Sequence, residues 1–261
     1  MPIPTLRSFA KSCMILCLGP ETRPRKIVRG LASGYRICVS PADNFGYLLG
    51  TTERHLQKII REYVAPGDIV YDIGANIGYV SLSLAKSVGP GGRVFAFEPV
   101  PKNVNRFRES IRINQLTNVQ LLEWAASDQD GEAVIRIAEN LSTASLVWHR
   151  NNSSAIELSI RTVQIDKLVE SGDLGYPRFV KIDVEGAEGS VLKGMLRTVA
   201  AAKPVLFIEC SDAGRQTTWP LLRQLGYHCQ SAITRKPVNS LEEYRHSDFL
   251  WLPTKPLRQT A

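Results

Sequence analysis

The chain has 261 residues, 44% hydrophobic and 22% charged, which suits a globular α/β domain with a sizeable core and excludes a fibrous repeat or a disordered chain. The formal net charge of +7 favours anionic partners. The positive residues are scattered, so charge alone assigns neither a nucleic-acid nor a membrane role. The denser groups are Arg23, Arg25, Lys26 and Arg29, then Arg106, Arg108 and Arg112, the latter at helical spacing and read as a solvated face. The five cysteines, Cys13, Cys17, Cys38, Cys210 and Cys229, are irregularly spaced. Cys13 and Cys17 have no second pair at zinc spacing, which argues against a metal site and for a reduced, cytoplasmic setting.

In chain order, the run Cys13-Met14-Ile15-Leu16-Cys17-Leu18 is too short to span a bilayer and reads as a short amphipathic helix. Pro20 and Pro24 break the lead-in over residues 1–25. Residues 27–31 and 35–39 flank Ser33-Gly34 and predict a hairpin. Residues 1–50 are thus expected to form an N-terminal extension, and 51–261 the main domain. Thr51 or Thr52 is placed to cap a helix through about Val64, with Leu56, Ile59, Ile60 and Tyr63 on one face. Pro66-Gly67 stops it.

Strand–helix alternation follows. Strands are expected at 68–72, 93–97, 119–124, 179–184, 204–209, 227–233 and 249–252. Helices are expected at 77–88, 102–115, 189–199 and 219–225. Strand-like segments lie around 134–137 and 156–160, joined by a polar loop from Asn140 to Ser154. Such alternation predicts a mostly parallel, doubly wound sheet with helices on both faces.

Ligands of doubly wound sheets bind at the carboxyl ends of strands. The loop Asp72-Ile73-Gly74-Ala75-Asn76-Ile77-Gly78 follows a strand and precedes a helix. Its glycines are four apart and an acid precedes them, unlike the dinucleotide fingerprint. A carboxylate there would repel a pyrophosphate and suit the ammonium of S-adenosylmethionine. Glu98, at the end of the next strand, is placed to accept hydrogen bonds from ribose hydroxyls, and Pro99 fixes the following turn. After the third strand, the small residues Ala125, Ala126 and Ser127 leave room for an adenine. Asp183 is costly in an apolar strand unless paired or functional. Glu185 and Glu188 suit a helix N-terminus, and Glu209 repeats the strand-end acid one strand later.

In this order the blocks Val70–Gly78, Phe95–Pro101, Thr162–Leu168 and Phe179–Glu188 with Val191-Leu192-Lys193-Gly194 resemble the FkbM family of methyltransferases, over about residues 50–235. The resemblance implies a Rossmann-like class I fold, a seven-stranded sheet with its last strand antiparallel. It implies S-adenosylmethionine as cofactor and O-methylation of a hydroxyl on a sugar, glycolipid or natural product. Cofactor contacts are expected from Asp72, Gly74, Ala75, Asn76, Gly78, Glu98, Pro99, Ala126 and Ser127. Acceptor-side chemistry is expected from Asp183, with Glu185 and Glu209 as further candidates and Lys181 in reserve. His55 lies on a helix that could cap the site and reads as a satisfied surface histidine. No metal is called for.

Two other readings remain. RNA 2′-O-methylation would use Lys181, Asp183, Lys193 and Glu209, but the chain has no recognisable RNA-binding module. A non-catalytic cofactor-binding protein would have no use for both Asp72 and Glu98. The expected partner is a small-molecule or glycan hydroxyl acceptor, with no transmembrane segment.

Overall fold

A computed structural model describes residues 21–40, 45–138, 155–242 and 247–254. The expected helix at Cys13–Leu18 and the Asn140–Ser154 loop lie outside the described residues. So do Cys13 and Cys17.

The segment before the main sheet holds strands β1 (Arg23–Lys26) and β2 (Arg36–Val39), then helices α1 (Gly46–Leu49) and α2 (Arg54–Tyr63). The hairpin exists, but its first strand lies four residues upstream of the expected one and takes in Pro24. Residues 28–31 leave the ladder because other acceptors claim their N–H groups. Val28 N donates to Leu48 O and Leu31 N to Gln57 Oε1. Helix α2 buries Leu56, Ile59 and Ile60 as the spacing predicts. Neither Thr51 nor Thr52 caps it. The N-cap is Glu53, in the left-handed region at φ 54°.

The central sheet is built from β3 (Ile69–Ile73), β4 (Arg93–Phe97), β5 (Val119–Leu122), β9 (Phe179–Ile182), β10 (Val205–Glu209), β11 (Tyr227–Ser231), β12 (Pro237–Val238) and β13 (Asp248–Pro253). Its order is β12-β11-β13-β10-β9-β3-β4-β5. Strands β5, β4, β3, β9 and β10 run parallel, while β13 is antiparallel to both β10 and β11. This is the class I topology, with eight strands instead of seven. The additional strand is the two-residue edge β12, paired through Cys229 and Gln230 of β11.

A second sheet of β6 (Ala125–Ala126), β7 (Gly131–Ala138) and β8 (Ala155–Val163) has the order β6-β8-β7. The third strand ends at Leu122, two residues short of the expected Trp124, and the small residues after it enter this second sheet, where Ala125 and Ala126 pair with Thr162 and Val163.

Helices α3 (Tyr79–Val88), α4 (Pro101–Ile113), α5 (Ile165–Glu170), α6 (Glu188–Lys193), α7 (Leu196–Ala202) and α8 (Asp212–Gln224) complete the fold. The expected helix 189–199 is broken into α6 and α7. Gly194 lies against the Ser127 main chain, where a Cβ would overlap the carbonyl oxygen, and its own carbonyl accepts from Asp166 N. The helix expected at 219 starts at Asp212 and runs through Pro220, because Ser211 Oγ caps it by accepting from Gly214 N at 3.1 Å.

Alternation along the strands divides the core. Tyr71, Ile73, Ile182, Leu206 and Ile208 face α6, α7 and α8, meeting Leu192, Val199 and Leu222. Val70, Phe179, Phe207 and Leu250 face α2 and α3, meeting Leu56, Ile59, Ile60 and Leu84. Ile27, Ile37, Val39 and Leu48 of the N-terminal segment pack on Ile77, Tyr79 and Leu82. Arg106 departs from the expected solvated face. It is 8% exposed and its Nε donates to Cys38 O. No helix among the described residues is long and apolar enough to cross a membrane.

Candidate active site

From β3 the chain runs outward through β4 and β5, then returns to place β9 on the other side of β3. The carboxyl ends of β3 and β9 therefore flank the switch point at which such sheets bind ligands. Two cavities open there. The larger, about 1170 Å³ including its mouth, is lined by Gly74, Asn76, Glu98, Pro99, Val100, Ala126, Ser127, Asp183 and Glu185, and by apolar residues of β7 and β8. The smaller, about 470 Å³, is lined by Tyr47, Glu53, Ala75, Tyr79, Lys181, Phe207 and Glu209 among others. Gly74, Asn76 and Asp183 line both, so the cavities share a wall.

The wall is tightly built. Gly74 N and Ala75 N both donate to Phe97 O, at 3.0 and 2.9 Å. Asn76 has φ 52°, and its N–H donates to Glu98 Oε2 at 2.8 Å. Glu98 Oε1 accepts from Val100 N and Asn103 Nδ2. Three donors leave acceptor capacity on a carboxylate with about four lone-pair sites. Burial pushes the Glu98 carboxyl up, against the pull of those bonds.

Asp72 is fully buried and lines neither cavity. Even-numbered positions of β3 face α2 and α3, so its carboxylate turns inward. Its Oδ2 accepts from Ser81 Oγ at 2.5 Å, and Oδ1 stands 3.3 Å from Lys181 Nζ. Lys181 Nζ also donates to Gly74 O at 2.8 Å and pairs with Asp183 Oδ2 at 3.3 Å. Burial alone would lower the Lys181 pKa, but the two carboxylates more than offset it and hold the ammonium above the ordinary lysine value. Gly78 likewise lines neither cavity; its missing side chain makes room for the Phe107 ring.

Of the acceptor-side candidates, Asp183 sits on the shared wall and Glu209 in the smaller cavity. Glu185, at φ 52°, sits on the larger. Burial, then repulsion from Asp183, Asp248 and Glu53, pushes Glu209 up to about 8. Among the described residues no donor reaches its carboxylate. Burial, then Asp183 and Glu188, raises Glu185. Glu188 is structural: its Oε1 accepts from Gly186 N at 2.7 Å, closing the turn into α6.

The sequence reading missed Glu53, and the structure shows what satisfies His55. Glu53 lines the smaller cavity, and burial raises its carboxyl despite the attraction of His55 and Lys181. His55 is no free surface residue. Its Nε2 stands 2.7 Å from Asp248 Oδ2 and 3.7 Å from Glu53 Oε2. Gln57 braces this entry to α2, donating to Gly50 O, Thr52 O and Tyr79 Oη. A positive φ at a non-glycine residue was the only local mark of Glu53, and it is invisible in sequence. Lys193 is exposed and lines neither cavity, so the Lys-Asp-Lys-Glu quartet is not assembled.

The methyltransferase FkbM domain model matches residues 72–229, more than half of the chain. The chain is 30% identical over 155 residues to the hexuronic acid methyltransferase AglP of Haloferax volcanii, covering 59% of this chain and 61% of that protein. It is 25% identical over 173 residues to the 2-O-methyltransferase NoeI of Sinorhizobium fredii, covering 59% of this chain and 70% of that one. A solved FkbM methyltransferase from Methylobacillus flagellatus is similar at TM-score 0.45 and 19% identity, over 80% of this chain and 53% of that chain. The chain thus spans less than two thirds of the Haloferax and Methylobacillus proteins. On the match over residues 72–229, the chain belongs to the FkbM methyltransferase family.

Proposed function

We propose that the chain transfers the methyl group of S-adenosylmethionine to a hydroxyl of a sugar or glycan. The observation that carries this reading is the shared wall. A donor held in the larger cavity and an acceptor in the smaller one meet at Gly74, Asn76 and Asp183. The name of one relative, a hexuronic acid methyltransferase, supports a sugar acceptor, and that of the other, a 2-O-methyltransferase, supports transfer to oxygen.

The residues fit the cofactor. Glu98 lines the larger cavity with acceptor capacity to spare for a ribose hydroxyl. Pro99, Val100, Ala126, Ser127 and Ile160 offer a small-sided apolar slot for an adenine. When bound, S-adenosylmethionine supplies an activated methyl on a sulfonium. The chain's own task is to position and to move a proton. Asp183, held by its ion pair with Lys181, orients the acceptor. Glu209, which no donor reaches among the described residues, takes the hydroxyl proton. Asp72 acts on the site through Lys181 instead of by contact. Tyr47 brings the extension of residues 1–50 to the acceptor side. The buried free thiols of Cys38, Cys210 and Cys229 support a reducing, cytoplasmic setting.

Calorimetry tests the cofactor site. Glu98→Ala is expected to weaken S-adenosylmethionine binding by about 1.5–3 kcal/mol, the worth of a hydrogen bond to a charged group. Unchanged affinity in a folded variant refutes the assignment. Methyl-labelled cofactor with a glycan panel then tests the transfer itself.

A further inference from the structure

The charge of the smaller cavity carries an inference about the acceptor, resting on the reading of that cavity as the acceptor site. The cross-strand pair Glu209↔Asp248 and the neighbouring pair Ile182↔Ile208 set Asp183, Glu209 and Asp248 in one row at the carboxyl edge of the sheet. Alternation turns that row toward α2, on the side of Lys181 and Phe207. Glu53 closes the cavity from the entry to α2. Three carboxylates, Glu53, Asp183 and Glu209, therefore line it.

Lys181 is the only cation among the described lining residues, and it is committed. Its side chain is 5% exposed, it donates to Gly74 O, and it stands 3.3 Å from both Asp72 and Asp183. Turning it to a ligand would strand the fully buried Asp72, at a heavy desolvation cost. His55 is engaged in the same way between Asp248 and Glu53. The remaining lining is aromatic. The rings of Tyr47 and Tyr79 lie 5.0 Å apart, and Phe207 lines the same cavity.

We infer that this cavity selects a neutral or ammonium-bearing sugar and rejects uronic acids, because a uronate would enter a carboxylate-lined cavity whose one lysine is already paired. The aromatic rings suit the apolar face of a pyranose. The carboxylates suit its hydroxyls, or an amino group. A ligand carboxylate would meet like charge in a partly buried site, where solvent and salt screen poorly.

The test uses the full chain at about pH 9, above the value of about 8 at which Glu209 ionises, and three acceptors of equal size: methyl glucoside, methyl glucosaminide and methyl glucuronide. Two readouts are taken. One is kcat/KM with methyl-labelled S-adenosylmethionine, and the other is saturation-transfer NMR of each sugar on the protein. The glucuronide is expected to fall below the other two by about tenfold or more in both. Glu53→Gln, which keeps the shape and removes one charge, is expected to narrow the binding gap by about threefold. A glucuronide that binds or reacts as well as the glucoside overturns the inference, as does an unchanged gap in folded Glu53→Gln. If S-adenosylmethionine binds but no sugar of the panel binds or is methylated, the sugar-acceptor reading itself falls, and this inference with it.

Discussion

Gly74 lies with its Cα against the main-chain carbonyl of Asp183, so close that a Cβ on residue 74 would overlap the oxygen. With φ 80°, Gly74 also holds a backbone conformation that side chains disfavour. The glycine thus joins the two strand-end loops that form the shared wall. The close approach that the missing side chain permits is by the chain itself. Gly74→Ala is expected to cost roughly 2–4 kcal/mol, the left-handed penalty plus overpacking. Chemical denaturation measures it. A variant within 0.5 kcal/mol of the parent, on the order of a neutral surface change, would show that the loops part freely.

Asp72 and Lys181 form a buried pair whose partners are mutually dependent. Either single change leaves an uncompensated charge, at about 3–5 kcal/mol. Replacing both, as Asp72→Leu with Lys181→Met, is expected to cost less than the sum of the singles. A double-mutant cycle by denaturation checks this. Strict additivity would mean the two residues act independently.

Glu209 sets a pH dependence. Its carboxyl stands near 8, so below that pH it carries a proton and cannot accept another. The rate constant kcat/KM is expected to rise as pH increases through about 8. Glu209→Gln is expected to abolish this limb and lower turnover by roughly 10²–10⁴-fold. A profile flat from about pH 6 to 9, or near-normal turnover in folded Glu209→Gln, moves the proton acceptor to Asp183.

His55 contributes to stability with the opposite sign. Its hydrogen bond to Asp248 raises its pKa above 6.5, against the lowering effect of burial. A raised folded pKa means that protonated His55 stabilises the fold fully below the unfolded value and that this stabilisation is lost as pH rises through the folded value. The Tm difference between the parent and His55→Gln should therefore be larger near pH 5.5 than near pH 8.5, about one unit below and two above the ordinary histidine pKa. An equal difference at both would place His55 outside the titrating pair.

Much of this was legible in the chain itself. Apolar runs of strand length alternating with 3.6-residue periodicity determined a parallel sheet with helices on both faces. The order of Asp72-Ile73-Gly74, Glu98-Pro99 and Asp183–Glu188 determined the family. These signals are local, carried by residues adjacent in sequence. Tertiary structure alone decided which acids face a cavity. Asp72 and Glu98 both end strands as motifs, yet alternation buries the first under Lys181 and opens the second to the larger cavity. Glu53 and His55 carry no motif and enter the site only because α2 packs over the carboxyl end of β10 and the amino end of β13, setting them beside Glu209 and Asp248. The raised pKa of Glu209 has the same origin, since burial and like charges brought together from four separate segments are properties of space and not of sequence neighbours.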